Sequence, residues 1–159
     1  MEKVKEVPYG VADFVTVMEQ NLYYVDKTMF IPELEKQPRN LFFIRPRRFG
    51  KSIFLSMLHS YYDCNQSAKF QSLFGNLWIG QHPTELQGKY QVLFLDFSQV
   101  SGNIDSLERN FDFYCSVKLD GFIRRYGESY SEETREKVRK AEYAMDKLAF
   151  IHDEAEQKG

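Results

Sequence analysis

The sequence predicts an α/β protein: a partial parallel sheet with flanking helices, followed by a helical C-terminal part. Three observations carry that expectation. LFFI at 41–44 and QVLFLDFS at 91–98 are apolar runs, the second unbroken until Asp96, and they read as strands buried on both faces. Helical spacing of apolar residues alternates with these runs along the chain. The first run also passes through a basic, glycine-containing loop directly into a helix, an order of strand, loop and helix.

The elements follow in order. Val11, Phe14, Val15 and Met18 predict a short helix over 11–20, ending near Asn21. LYYVDKT reads as extended, with Asp26 or Thr28 positioned to cap a helix over TMFIPELEK. Pro32 falls in that helix's first turn, where a missing N–H costs little. A polar break at 37–40 precedes the first strand, and KSIFLSMLHSYYD after the loop reads as a helix. Residues 64–90 are mixed, with a short helix and a packed turn around Phe70 to Ile79. After the second strand, Ser101-Gly102-Asn103 marks a turn and a long helix runs from Ser106, slightly weakened by Gly121. Ser131 opens a strongly charged helix over 131–158 with a thin stripe at Val138, Ala141, Met145, Leu148 and Ile151.

Composition bounds the function. A chain of 159 residues fits one domain, and 43% hydrophobic with 16% aromatic residues suffices for a packed core. The formal net charge of −2 supplies no global field toward nucleic acid or anionic membrane, so any basic site is local. The N-terminus lacks an apolar stretch of signal-peptide length and no run reaches the ~18–20 residues of a bilayer span, so a cytoplasmic location without membrane contact is expected. Cys64 and Cys115 are too few and too distant in sequence for a metal knuckle, and read as thiols of an intracellular protein.

The chemistry concentrates in RPRRFGKS, comprising Arg45, Pro46, Arg47, Arg48, Phe49, Gly50, Lys51 and Ser52. Its last three residues match the end of the phosphate-binding loop pattern G-x-x-x-x-G-K-[ST], whose first glycine is here Arg45. Gly50 lets the backbone approach a phosphate at a helix N-terminus. Lys51 would reach the terminal phosphates and the Ser52 hydroxyl would ligate Mg²⁺. Pro46 holds Arg45 extended, partly replacing the lost glycine, and Arg47 and Arg48 can contact phosphate bidentately. From the residues alone two readings stand: a nucleotide cradle, or a basic turn that docks nucleic acid or an acidic partner. No second basic stripe extends such a groove.

Three blocks in order, YGVADFVTVMEQNLYYVDKT, LFFIRPRRFGKSIFLSML and YQVLFLDFSQV, resemble the family of bacterial and archaeal AAA-ATPase-like proteins. The resemblance runs from about Val7 to about Tyr126, and an altered first loop position is characteristic of that family. It implies a P-loop NTPase-like fold that binds ATP with Mg²⁺, the chain being its N-terminal portion with a core at about 7–126. Family members also carry a later strand ending in D-E-Y-D, the acid that supports hydrolysis. No such run lies between Phe97 and Gly159. Asp96 is the one residue that looks like this acid, but family order makes it a strand-end residue instead. Longer members carry a nuclease-like C-terminal region that nothing here matches. The resemblance therefore implies part of a larger protein, with its last helix packing on the remainder and no ATPase activity by itself. Asp26-Lys27-Thr28 could line the pocket or cap a helix. Tyr23 and Tyr24 could stack on a base or pack in the core, and His59 reads as a surface or satisfied histidine.

Overall fold

The structure is a computed structural model that describes residues 4–38 and 40–158, so Arg39 of the polar break lies outside the described residues. The chain forms two compact units, Met1–Val92 and Leu93–Gly159.

In the first unit, α1 (Phe14–Glu19) begins where the Asp13 carboxylate accepts the Thr16 N–H, which excludes Val11 from the helix. A 3₁₀ turn at Thr28–Phe30 leads into α2 (Ile31–Glu35), with Pro32 in its first turn. Then come α3 (Lys51–Tyr62), a 3₁₀ segment at Cys64–Lys69, α4 (Phe70–Phe74) and α5 (Trp78–Gln81). Phe54, Met57 and Tyr61 lie three and four residues apart, so α3 turns one stripe into the core while Leu55 stays exposed. That stripe packs with Phe14, Ile31, Leu73, Phe74 and Ile79. Ring contacts knit the cluster: Phe14 stacks on Phe74 at 4.9 Å and Tyr61 meets Phe74 edge-on at 5.5 Å. Each such buried side chain contributes roughly 1.5–3 kcal/mol. The Tyr61 hydroxyl accepts the Thr84 N–H, and the Tyr62 and Thr84 hydroxyls both donate to Glu35, closing the segment after α5 onto α2 and α3.

The expected parallel sheet is absent. No strand forms among the described residues, only a single parallel bridge between Asp63 and Tyr90. The α/β assignment is therefore overturned, and the architecture is helical. The reason shows at LFFI. A strand buried on both faces needs neighbours on both, but Phe42 is 92% and Ile44 90% exposed. Phe43 alone turns inward and stacks on Phe54 at 4.9 Å. QVLFLDFS likewise stays irregular until a 3₁₀ turn at Phe97–Gln99. A continuous apolar run signals a preference for burial without specifying a ladder, and here the run 41–44 stays largely exposed.

In the second unit, α6 (Ile104–Tyr126) starts at an Asn103 cap, two residues earlier than the spacing suggests, and runs through Gly121. Ser131 caps α7 (Glu132–Lys140), and α8 (Ala144–Lys158) follows after a break at 141–143. The Asp112 carboxylate on α6 accepts the Ala144 N–H at 2.9 Å and so fixes where α8 begins. Val138 and Ile151 of the apolar stripe are buried, whereas Met145 and Leu148 remain exposed. No helix among the described residues is long and apolar enough to cross a membrane.

Candidate functional site

The loop 45–50 is built around its own basic residues. The Arg45 guanidinium lies over the Phe43 ring at 5.0 Å and donates to the Phe49 carbonyl at 3.3 Å. The Lys51 ammonium donates to the Arg45 carbonyl at 3.1 Å, bridging the two ends of the loop. Gly50 caps α3 at φ 75°, a left-handed conformation that glycine adopts without strain. Its own carbonyl accepts the Phe54 N–H at 3.1 Å, the first turn of α3. Arg48 also sits at positive φ, 67°, without glycine's freedom.

Arg48, Gly50, Lys51 and Ser52 form one wall of a cleft of about 620 Å³, and the segment Val7–Ala12 forms the other. The walls are tied together one turn into α3. The Ser56 hydroxyl accepts the Phe14 N–H at 3.0 Å and donates to Asp13 at 3.1 Å. Burial pushes the Asp13 carboxyl up, but hydrogen bonds from Thr16 and Ser56 outweigh it and hold it below the usual carboxylate range. Among the described residues, none of Arg45, Arg47, Arg48 and Lys51 forms an ion pair with a carboxylate. The cleft thus presents unneutralised cations at the N-terminus of a 12-residue helix, an arrangement that attracts anions. Pro46, Arg47 and Phe49 lie exposed on the loop and do not line this cleft.

The family model described as "AAA-ATPase_like: Predicted AAA-ATPase" matches residues 8–158, both walls of the cleft included. The chain belongs to this predicted AAA-ATPase family. The match continues past Tyr126 through α7 and α8, so the charged C-terminal helices belong to the family pattern as well. The chain is also 43% identical over 63 residues to "Uncharacterized protein in vnfD 5'region" of Azotobacter chroococcum mcd 1. That match covers 39% of this chain and 12% of the relative, so the chain spans only a small part of the relative's length. No solved structure matches.

In this member of the predicted AAA-ATPase family, the other candidate residues have structural partners. Asp96 lies in the second unit, where its carboxylate accepts the N–H and hydroxyl of Ser98 and caps the turn 97–99. Those bonds hold it below the usual carboxylate range. Asp26 and Thr28 bind the backbone of α5 rather than line the cleft. Tyr24 packs edge-on against Phe14 at 5.3 Å, and burial pushes its phenol up. His59 pairs with the fully buried Asp63 at 3.3 Å. Cys64 and Cys115 are free and partly exposed.

Among the described residues, no group of three or more His, Cys, Asp or Glu side chains is placed to hold a metal. Ser52 offers a single hydroxyl, which suits Mg²⁺ arriving on phosphates with its own waters rather than a standing metal site. Sequence reasoning missed the wall Val7–Ala12 and its anchor Ser56. The signal available was Asp13-x-x-Thr16, a cap that fixes where the N-terminal segment ends.

Proposed function

We propose that this chain binds ATP, with Mg²⁺ carried on the phosphates, in the cleft between Val7–Ala12 and Arg48–Ile53. The single observation that carries the reading is the cluster of cations without carboxylate partners around the left-handed Gly50 and the N-terminus of α3. Membership of the predicted AAA-ATPase family supports a nucleotide over other anions. Lys51 would leave the Arg45 carbonyl for the terminal phosphates, the first amides of α3 would face them, and Ser52 would complete the Mg²⁺ shell. Among the described residues no carboxylate lines the cleft, so binding rather than hydrolysis is the proposal for this chain alone.

Calorimetry with Mg-ATP tests it. Lys51→Ala is expected to weaken binding by about 30-fold, the loss of roughly one charge-assisted contact, with helical content unchanged. Equal affinity in wild type and variant would sink the reading. Salt-steep association with DNA, indifferent to ATP, would replace it with the basic-loop alternative.

A further inference from the structure

We infer that Val7–Ala12 is the nucleoside-binding wall of the cleft, taking the flat face of the base and ribose while Arg48–Ser52 take the phosphates. The inference rests on the ATP-binding reading and adds the half of the site that the loop motif does not contain. The two walls differ in chemistry. One carries Arg48 and Lys51, and the other carries Val7, Pro8, Val11 and Ala12, with Ile53 continuing it on α3. A ligand that satisfies both is anionic at one end and apolar at the other. At about 620 Å³ the cleft is of the size that encloses a nucleotide-scale ligand.

The apolar wall is also held in place before any ligand arrives. Asp13 and the Phe14 N–H bind Ser56 on α3, and the Glu6 carbonyl accepts the Tyr23 N–H at 2.8 Å, so both ends of the segment are tied to the same unit. Between those ties Val7 is 75% and Tyr9 98% exposed at the cleft, a large apolar surface with no packing role in the unit. Gly10, at φ 74° with open space where a Cβ would stand, lets the backbone itself border the cleft. An aromatic ring beside a phosphate-binding wall is suited to stack on a base, which every nucleobase permits.

The test compares Mg-ATP with inorganic tripolyphosphate in wild type, Tyr9→Ala and Val7→Asp, both substitutions at exposed positions that the fold does not depend on. The expected result is a loss of about tenfold in ATP affinity for each variant. Tripolyphosphate affinity should be unchanged, while Lys51→Ala weakens both ligands. If wild-type ATP binding depends on Lys51 but neither wall variant alters it, this inference is overturned and the phosphate site stands. A wild type that binds neither ligand overturns both. Equal losses for ATP and tripolyphosphate in the wall variants also overturn the inference, because they would place the wall's effect on the phosphates.

Discussion

The Asp26 carboxylate accepts the backbone N–H of Trp78 at 2.7 Å, across 52 residues of sequence. Its other oxygen accepts the N–H and hydroxyl of Thr28, and the Thr28 hydroxyl in turn accepts the N–H of Ile79 at 3.1 Å. Two side chains of the D-K-T segment therefore satisfy the first two amides of α5, which no residue of α5's own cap supplies. The motif acts as a remote helix cap, and it seats Ile79 in the core that α3 also builds.

Removing this cap should loosen the first unit. Asp26→Ala is expected to cost about 1–2 kcal/mol, the range for a lost helix cap. Thr28→Val should cost at least as much, because the Ile79 N–H lies in a buried bond and would be left without its acceptor. Urea unfolding of both variants is the check. Midpoints unchanged from wild type would mean that α5 does not depend on the segment.

The same segment shows what the sequence made legible. Ser131 was readable as a helix start because capping is local chemistry, a short side chain reaching two or three residues ahead. Asn103 read only as a turn residue, and Asp26 as a cap of the helix that follows it, which neither Lys27 nor Phe30 caps through a side chain. The second oxygen of Asp26 was not readable, because its partner is fixed only when α5 packs on the core. The sheet failed for a related reason. Apolar continuity at 41–44 and 91–98 reports a preference for burial, and strand pairing is a tertiary event that the run cannot specify. The loop residues Gly50 and Lys51 were readable from spacing, whereas the opposing wall Val7–Ala12 was not. It carries no phosphate-binding pattern, and its place at the cleft is set by tertiary contacts, Ser56 with Asp13 and Phe14 at one end and the Tyr23 N–H with the Glu6 carbonyl at the other.

Arg48 should exchange stability for binding. At φ 67° it pays the left-handed penalty of roughly 1–2 kcal/mol, and a glycine there would be free of it but more costly to order by roughly 0.5–1 kcal/mol. Arg48→Gly is therefore expected to stabilise the first unit by about 0.5 kcal/mol while lowering Mg-ATP affinity about tenfold through the lost cation. Thermal unfolding and calorimetry on the same samples read both effects. A destabilised variant with unchanged affinity would contradict the proposed placing of Arg48 at the phosphates.

Glu154 ties α8 to the start of α7 and makes that union sensitive to acid. Its carboxylate accepts from the Lys158 ammonium and from the N–H and hydroxyl of Ser131, bonds that bring it down to about 2 from an ordinary 4.5. A folded value below the unfolded one means the carboxylate stabilises the fold fully above about 4.5. That contribution is lost as the pH falls from there toward about 2. Glu154→Gln should remove this part of the acid dependence and leave the variant's stability flatter between those values. Denaturant midpoints taken across that window are the measurement, and an identical pH profile in both proteins would refute the assignment.

The ion pair between Lys147 on α8 and Asp120 on α6, at 2.7 Å, should respond asymmetrically to its two partners' removal. The Lys147 side chain is only 7% exposed, while Asp120 is 44% exposed, so the cation is the member that depends on its partner. Asp120→Ala leaves a buried ammonium without a counter-charge and is expected to cost about 2 kcal/mol, below the range for fully enclosed pairs because water reaches the carboxylate side. Lys147→Met keeps the volume and length against α6 and removes the charge that needed pairing. Asp120 then returns to solvent, and the stability change should stay within about 1 kcal/mol. A double variant, Asp120→Ala with Lys147→Met, should recover most of the loss from Asp120→Ala alone, since the cost lies in the stranded charge. Additive losses in that cycle would instead mean that the two residues stabilise the α6–α8 contact independently.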